Sequence, residues 1–161
     1  MDAIILDMGD GIKGESSLAG YEGKIELLSF SHGVAMQMTG DISNSERTSG
    51  RPSHQDFTVT KYLDAASPVL NQACCEGKDF PQAHVIIGRN DGGRLGELMR
   101  YTLSGVLISS ISVGGGGGDK PVETLTLNYN KIEWSFTSQR PEQGKERSVE
   151  GKWDLAQNAA L

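Results

Sequence analysis

The sequence lacks the features that mark nucleic-acid-binding and membrane-inserted proteins. Acidic residues outnumber basic ones, 21 against 15, which gives a formal net charge of −6; this balance predicts no surface for nucleic acid. No apolar run is long enough to cross a bilayer. The first residues, "MDAIILDMGD", carry acids where a signal peptide needs lysine or arginine. We therefore expect a protein made in the cytoplasm without a signal peptide and without membrane insertion, which leaves export by a signal-independent machine open.

Groups of reactive side chains are also scarce. The only two cysteines, Cys74 and Cys75, are adjacent, a spacing that suits neither a disulfide nor a two-point metal clamp. The three histidines, His32, His54 and His84, fall on separate predicted elements and lack the spacing of a metal pair. We expect two small core or half-buried cysteines, and histidines on the surface or on edge strands. The sequence thus predicts no catalytic residue, no metal and no cofactor, although an active site dispersed along the chain leaves no local pattern.

The sequence contains the glycine spacing of one cofactor-binding motif. Gly9, Gly11 and Gly14 have the G-x-G-x-x-G spacing directly after the apolar run "AIIL", which is typical of dinucleotide-binding sites. Such a site needs a helix after the last glycine, because the helix N-terminus binds the pyrophosphate. Here Gly20 and Gly23 interrupt any helix, and the next strand begins near residue 24. We interpret the glycines as turn positions after a first strand, and an enzyme that binds NAD as the weakest hypothesis.

The strongest pattern in the chain is a series of short strands. Glycine is abundant, at 21 residues, and suits turns better than helices. Alternating apolar and polar residues predict strands at "QDFTVTKYL", at "VETLTLNYNKIEWSFTS" with a bend near residues 130–131, and at a closing "VEGKWDLAQN". A shift in the alternation predicts one bulged strand at residues 24–33, and "NDGG" predicts a hairpin. The pattern is typical of an antiparallel barrel or sandwich, and we expect residues 1–161 to form a single domain.

A single helix is predicted, at about residues 67–76. Ser67 is a good N-cap and Pro68 suits the first helical position. Gly77 is placed to end the helix in a left-handed conformation. The apolar face is predicted to comprise Val69, Leu70, Ala73 and Cys74.

Two segments predict loops. Residues 39–54 are nearly all polar, and residues 114–118 are five consecutive glycines. Long loops in compact domains are usually functional or disordered. We expect the glycine run to be mobile.

The order of several segments resembles a known family. They are "DGIKGES" (10–16), then "FTVTKYLDAASPVLNQACCEGKDFPQA" (57–83), with the pattern T-K-x-x-D-x-x-S-P-x-L-x-x-A, and then "LSGVLISSISVGG", "ETLTLNYNKIEWSF" and "KWDLAQN". Together they resemble the Hcp (hemolysin-coregulated protein) family, the tube component of type VI secretion systems. The acidic start, the Cys74–Cys75 pair and Lys152 beside the last tryptophan depart from the family's pattern.

The resemblance implies a mainly β fold: a compact two-sheet antiparallel β-barrel with one short flanking α-helix. It also implies a homohexameric ring that stacks into a secreted tube, carries and stabilises small effectors in its lumen, and meets the sheath and spike proteins of the machine. No fused effector domain is expected after Leu161. The alternative is another phage-tail-tube-like module, or a small-ligand-binding β-barrel, in either case without enzymatic activity.

The resemblance also places candidate site residues. The strand at residues 24–33 corresponds to the family's channel wall, so Ser31 and Ser29 are expected to face the lumen and its effectors. The polar loop corresponds to an extended loop that contacts adjacent subunits or rings. Its candidate contact residues are Asp41, Asn44, Glu46, Arg47 and Arg51.

Overall fold

The described part of the chain forms twelve strands and one helix. The computed structural model describes residues 3–38, 50–138 and 147–161. In chain order, the elements are β1 (Ala3–Asp7), β2 (Ile25–Glu26), β3 (Ser29–Ser31), β4 (Val34–Ala35), β5 (Ser53–His54), β6 (Phe57–Tyr62), α1 (Ser67–Glu76), β7 (Asp79–Asp91), β8 (Arg94–Gly114), β9 (Val122–Asn128), β10 (Lys131–Ser138), β11 (Arg147–Asp154) and β12 (Ala159–Ala160).

Strand β8 is the centre of the sheet. One of its edges pairs with β7, and its other edge pairs first with β10 and then with β9, always antiparallel. The change of partner falls at Gly105, whose φ is +61°, a value that glycine adopts at little cost. On one side the order runs β12-β11-β10-β8-β7-β1-β2, and on the other β8-β9-β6-β3. The hairpin at "NDGG" and the bend near residues 130–131 are both confirmed.

The segment after β1 connects the two sides of the sheet. Strand β2 pairs with β1, whereas β3 pairs with β6. Between them, the Leu27 N–H donates to the Ile4 carbonyl at 2.9 Å and the Leu28 N–H donates to the Thr60 carbonyl at 2.7 Å. The prediction of one bulged strand at residues 24–33 is therefore wrong: the shift in alternation marks a change of partner. The hydrogen-bonded path returns to β8 through this segment, which makes the fold barrel-like and mainly β, as predicted.

The core lies between the two sides of the sheet. Phe57, Leu70, Leu103, Leu125 and Leu127 are fully buried within it. Each such side chain contributes about 1.5–3 kcal/mol relative to an exposed position. Leu70 comes from α1, so burial of this helix residue fixes the helix against the sheet.

Helix α1 matches its predicted range, but its N-cap is one residue earlier than predicted. The N-cap is Ala66, without a side-chain cap, and Gly77 ends the helix in the left-handed conformation, as predicted. The Ser67 side chain instead forms hydrogen bonds with Lys61, Asp64 and Glu123. Val69 is 43% exposed, so its predicted place on the buried face is wrong. Cys74 is half-buried and Cys75 is exposed, which corrects the expectation for the second cysteine. None of the described residues belongs to a helix long and apolar enough to span a membrane.

The opening glycines form a turn, as predicted. No helix follows Gly14; instead its N–H donates to the Gly23 carbonyl at 2.8 Å. A Cβ on Gly14 would lie 2.5 Å from the Lys24 carbonyl oxygen. Glycine is required there because two backbone segments approach closely, and the described residues 15–38 contain no helix whose N-terminus could bind a pyrophosphate.

Candidate functional site: a hydroxyl face, a buried cation and a histidine pair

Hydroxyl side chains form two rows across four neighbouring strands. Because alternate residues of a strand point to the same face and the strands β3, β6, β9 and β8 pair in register, hydroxyls line up from strand to strand. The first row comprises Ser29, Thr60, Thr124 and Ser112, and the second comprises Ser31, Thr58, Thr126 and Ser110. We call these eight residues the hydroxyl face.

The hydroxyls are partly paired with one another. Ser29 and Thr60 lie 2.5 Å apart through their side-chain oxygens, as do Ser110 and Thr126. None of the eight is charged. At the margin of these rows, the Asp56 carboxylate accepts hydrogen bonds from Ser109 at 2.6 Å and from Asn128 at 3.0 Å. The hydroxyl face is thus an uncharged, hydrogen-bonding surface on a chain whose net charge is −6.

The other side of the same strands is the core. Phe30, Val59, Leu125 and Ile111 pair across β3, β6, β9 and β8 between the two hydroxyl rows, and all four belong to the core or pack against it. The alternation that buries these residues therefore fixes the outward direction of the hydroxyls.

A second polar group is buried beneath α1. Lys61 is fully buried, and its Nζ donates to Glu123 Oε1 at 2.9 Å, to Asp64 Oδ1 at 2.8 Å, to Ser67 Oγ at 3.0 Å and to the Tyr62 carbonyl at 3.2 Å. The Ser67 hydroxyl donates to Glu123 in a short hydrogen bond. We call Lys61, Asp64, Ser67 and Glu123 the Lys61 cluster. It joins β6, β9 and the start of α1.

The Lys61 cluster explains the polar letters of the T-K-x-x-D-x-x-S-P pattern. Lys61, Asp64 and Ser67 occupy the K, D and S of that pattern, and buried charges persist only where they are paired and hydrogen-bonded. Sequence analysis missed the fourth member, Glu123. Its signal was present, because Glu123 shares the alternation of Leu125 and Leu127 and therefore points inward.

Two histidines share one tyrosine hydroxyl. Tyr129 lies at the bend between β9 and β10. Its Oη is 2.6 Å from His32 Nε2 and 3.1 Å from His54 Nδ1, and it donates to the Gln55 carbonyl at 3.2 Å. The His32 ring stacks on Phe57, with centroids 5.2 Å apart. We call His32 and His54 the histidine pair, and Tyr129 is the hydrogen-bond partner that they share.

Burial shifts the titration of this group. It lowers the pKa of His32, with a further lowering by His54, and it also lowers the pKa of His54. Burial raises the pKa of Tyr129, and nearby Asp56 adds to that effect. The expectation of histidines on the surface or on edge strands holds for His54, which lies on the edge strand β5, but both His32 and His54 are half-buried rather than fully exposed. His84 lies elsewhere, half-buried, with Nδ1 3.2 Å from the Thr102 hydroxyl.

The predicted site residues fall into three groups. Ser29 and Ser31 are exposed, and they begin the two hydroxyl rows. Arg51 is also exposed. It lies two residues before β5, which pairs with β4 in a two-stranded ribbon. Residues 53–54 are therefore strand, which shortens the loop predicted at 39–54. The predicted loop positions Asp41, Asn44, Glu46 and Arg47 lie outside the described residues.

Comparison with known proteins decides the family. The model of the family described as "Type VI secretion system effector, Hcp" matches residues 6–136. Protein hcp1 from Pseudomonas aeruginosa is 32% identical over 157 residues, which is 96% of each chain. The chain belongs to the Hcp family of type VI secretion proteins.

Solved structures have the same fold as this Hcp chain. One, described as a type six secretion system protein, aligns with a TM-score of 0.89 at 26% identity and covers 99% of both chains. Hcp1 from Salmonella typhimurium aligns with a TM-score of 0.80 at 23% identity, over 99% of this chain and 98% of its own. The resemblance drawn from the sequence is confirmed, and this Hcp chain is a secreted β-rich protein of a type VI system.

Proposed function

We propose that this Hcp chain is the structural subunit of the secretion tube. Six copies form a ring, rings stack into the tube that meets the sheath and spike of the machine, and small effectors travel in the lumen. In this proposal the hydroxyl face lines the lumen, and the protein catalyses no reaction. The observation that carries the proposal is the hydroxyl face itself, since an uncharged polar surface can hold cargo of either charge.

The open edge of β11 supports assembly of several copies. Only Trp153 and Asp154 of β11 pair with β12 in the described part of the chain, so residues 147–152 have no strand beyond them there. Val149 on this edge is 54% exposed. Proteins protect such edges from uncontrolled pairing, and closed symmetric assembly is one way to do so. By the family resemblance, Arg51 and the neighbouring loop residues would contact adjacent subunits or rings.

The first experiment measures the size of the purified particle. We expect light scattering coupled to size-exclusion chromatography to give the mass of six chains, and negative-stain images to show rings. A strict monomer at micromolar concentration and above would contradict the proposal. It would favour the alternative of a small-ligand-binding module.

The second experiment tests the lumen. Ser31→Gln enlarges one exposed position of the hydroxyl face, so we expect the ring to persist while less effector co-purifies with it. Ser17→Gln is the matched control, because Ser17 is an exposed serine in the loop between β1 and β2, outside both the hydroxyl face and the open edge of β11. Equal effector retention by both variants would show that Ser31 does not contact cargo.

A further inference from the structure

Both chain segments of the β4–β5 ribbon form hydrogen bonds with the same side chain, that of Tyr129. His32 lies two residues before β4, and His54 lies in β5. The two rings approach the hydroxyl of Tyr129 from different segments, at 2.6 and 3.1 Å. Tyr129 also donates to the Gln55 carbonyl, directly after β5. One buried phenol thus holds both sides of the ribbon.

The described strands of the ribbon do not join the main sheet. In the part of the chain that the structure describes, strands β4 and β5 pair only with each other, as a two-stranded sheet separate from the other ten strands. An apolar groove of about 250 Å³ remains between the ribbon and the β10–β11 hairpin, lined by Val34, Met36, Pro52, His54, Trp134 and Trp153. The ribbon therefore packs incompletely on the sheet, and the Tyr129 hydroxyl attaches both of its segments there by hydrogen bonds.

The surroundings of the histidine pair favour neutral rings. The ring centroids of His32 and His54 are 6.4 Å apart. Facing groups from β6, β8 and β10 are Phe57, Tyr101 and Trp134. The titratable neighbours are the phenols of Tyr101 and Tyr129, and the carboxylate of Asp56 lies beyond Tyr129. Among the described residues, no carboxylate forms a hydrogen bond or ion pair with either ring, so nothing there compensates two positive charges.

We propose that His32, His54 and Tyr129 form a pH-sensitive latch, which holds the β4–β5 ribbon against the sheet at neutral pH and releases it on acidification. The sign follows from burial, which lowers the pKa of both rings in the docked state. The docked ribbon then binds fewer protons than the released one. Docking is therefore fully favoured above the ordinary histidine range, around pH 6.5, and it weakens as the pH falls below that range. This inference concerns a single chain and does not depend on ring formation.

The latch can be tested on the full-length protein by hydrogen exchange between pH 7.5 and 5. The reporter is the N–H of Gln55, which donates to the Gly33 carbonyl at 2.9 Å within the ribbon. After correction for the intrinsic pH dependence of exchange, we expect this amide to lose protection on acidification. The core amides of β7 and β8 should keep theirs.

The test variant is His32→Gln combined with His54→Asn. Glutamine places an amide nitrogen near the Nε2 position and asparagine near the Nδ1 position, so both hydrogen bonds to Tyr129 are kept without a titrating group. We expect this variant to stay protected at pH 5. His84→Gln is the matched control, because His84 is also half-buried but bonds to Thr102 instead; it should respond as the original protein does.

Three results would overturn the latch. They are unchanged Gln55 protection at pH 5 in the original protein, an equal loss of protection in the double variant, and loss of the response in His84→Gln. If the double variant fails to dock at pH 7.5, histidine proton resonances in the original protein decide: titration of His32 and His54 at a pH different from the loss of protection rejects the proposal. Light scattering at both pH values reports ring formation separately, so failure of the ring and failure of the latch are distinguishable.

Discussion

Two lysine–glutamate pairs in this fold have the same chemistry and nearly opposite surroundings. Lys61 of β6 pairs directly with Glu123 of β9, and Lys152 of β11 pairs directly with Glu133 of β10, both across antiparallel strands. The Lys61–Glu123 side chains are 0% and 1% exposed with their charged atoms 2.9 Å apart. The Lys152–Glu133 side chains are 40% and 33% exposed with their charged atoms 3.7 Å apart.

The difference lies in what else surrounds each lysine. Lys61 also donates to Asp64, Ser67 and the Tyr62 carbonyl, so every proton of its ammonium group has an acceptor. Lys152 lies between Glu133 and, at 3.9 Å, Glu150, with water able to replace either. A cross-strand pair therefore indicates register in both places, but it fixes the structure only where water is excluded.

The largest effect is expected from Lys61→Met. Methionine fills much of the same volume but leaves Glu123 and Asp64 without their shared cation. Breaking a buried ion pair by removing one partner costs about 3–5 kcal/mol, so we expect the free energy of unfolding to fall by that amount. Urea denaturation measures it, with Lys152→Met as the matched control. A loss below about 1 kcal/mol, the range of exposed pairs, would erase the contrast between the two pairs.

A smaller effect is expected from Ser67→Ala, which sharpens the comparison within the Lys61 cluster. The Ser67 hydroxyl accepts from the Asp64 N–H and from Lys61, both at 3.0 Å, and donates to Glu123. Leaving buried partners unsatisfied costs about 1–3 kcal/mol. The control is Ser110→Ala on the hydroxyl face, whose exposed hydroxyl has water as a replacement partner. Equal losses of stability in both variants would mean that burial of the Lys61 cluster adds nothing.

Local patterns predicted much of the fold. The alternation in "VETLTLN", the turn letters "NDGG" and the Pro68 and Gly77 signals depend on neighbours within a few residues, and each element formed where it was expected. The sequence predicted only part of the hydroxyl rows, namely the exposed positions of Ser29 and Ser31. The matching threonines of β6 and β9 needed the strand pairing to be recognised.

Contacts between distant segments were not predictable from the sequence. His32 and Tyr129 are separated by 97 positions, and no local pattern brings them together. The change of partner between β2 and β3 produces the same shift in alternation as a bulge, so the two cannot be told apart by periodicity. The alternation of Glu123 with Leu125 and Leu127 indicated from the sequence that Glu123 points inward. That it lies beside Lys61 depends on the long-range pairing of β6 and β9.

The smallest effect is expected from Lys152→Ala, at a position where the chain departs from the family's pattern. Exposed ion pairs contribute about 0–1 kcal/mol, and the charged atoms of Lys152 and Glu133 are 3.7 Å apart. We therefore expect a loss of unfolding free energy within that range, and a loss that shrinks in 1 M NaCl, where the screening length is about 3 Å. The loss caused by Lys61→Met should persist at the same salt concentration, because ions do not reach the buried cluster. A salt-independent loss of about 2 kcal/mol or more for Lys152→Ala would mean that the exposed pair contributes through packing of the lysine stem, and the contrast between the two pairs would then reflect burial of carbon atoms rather than of charge.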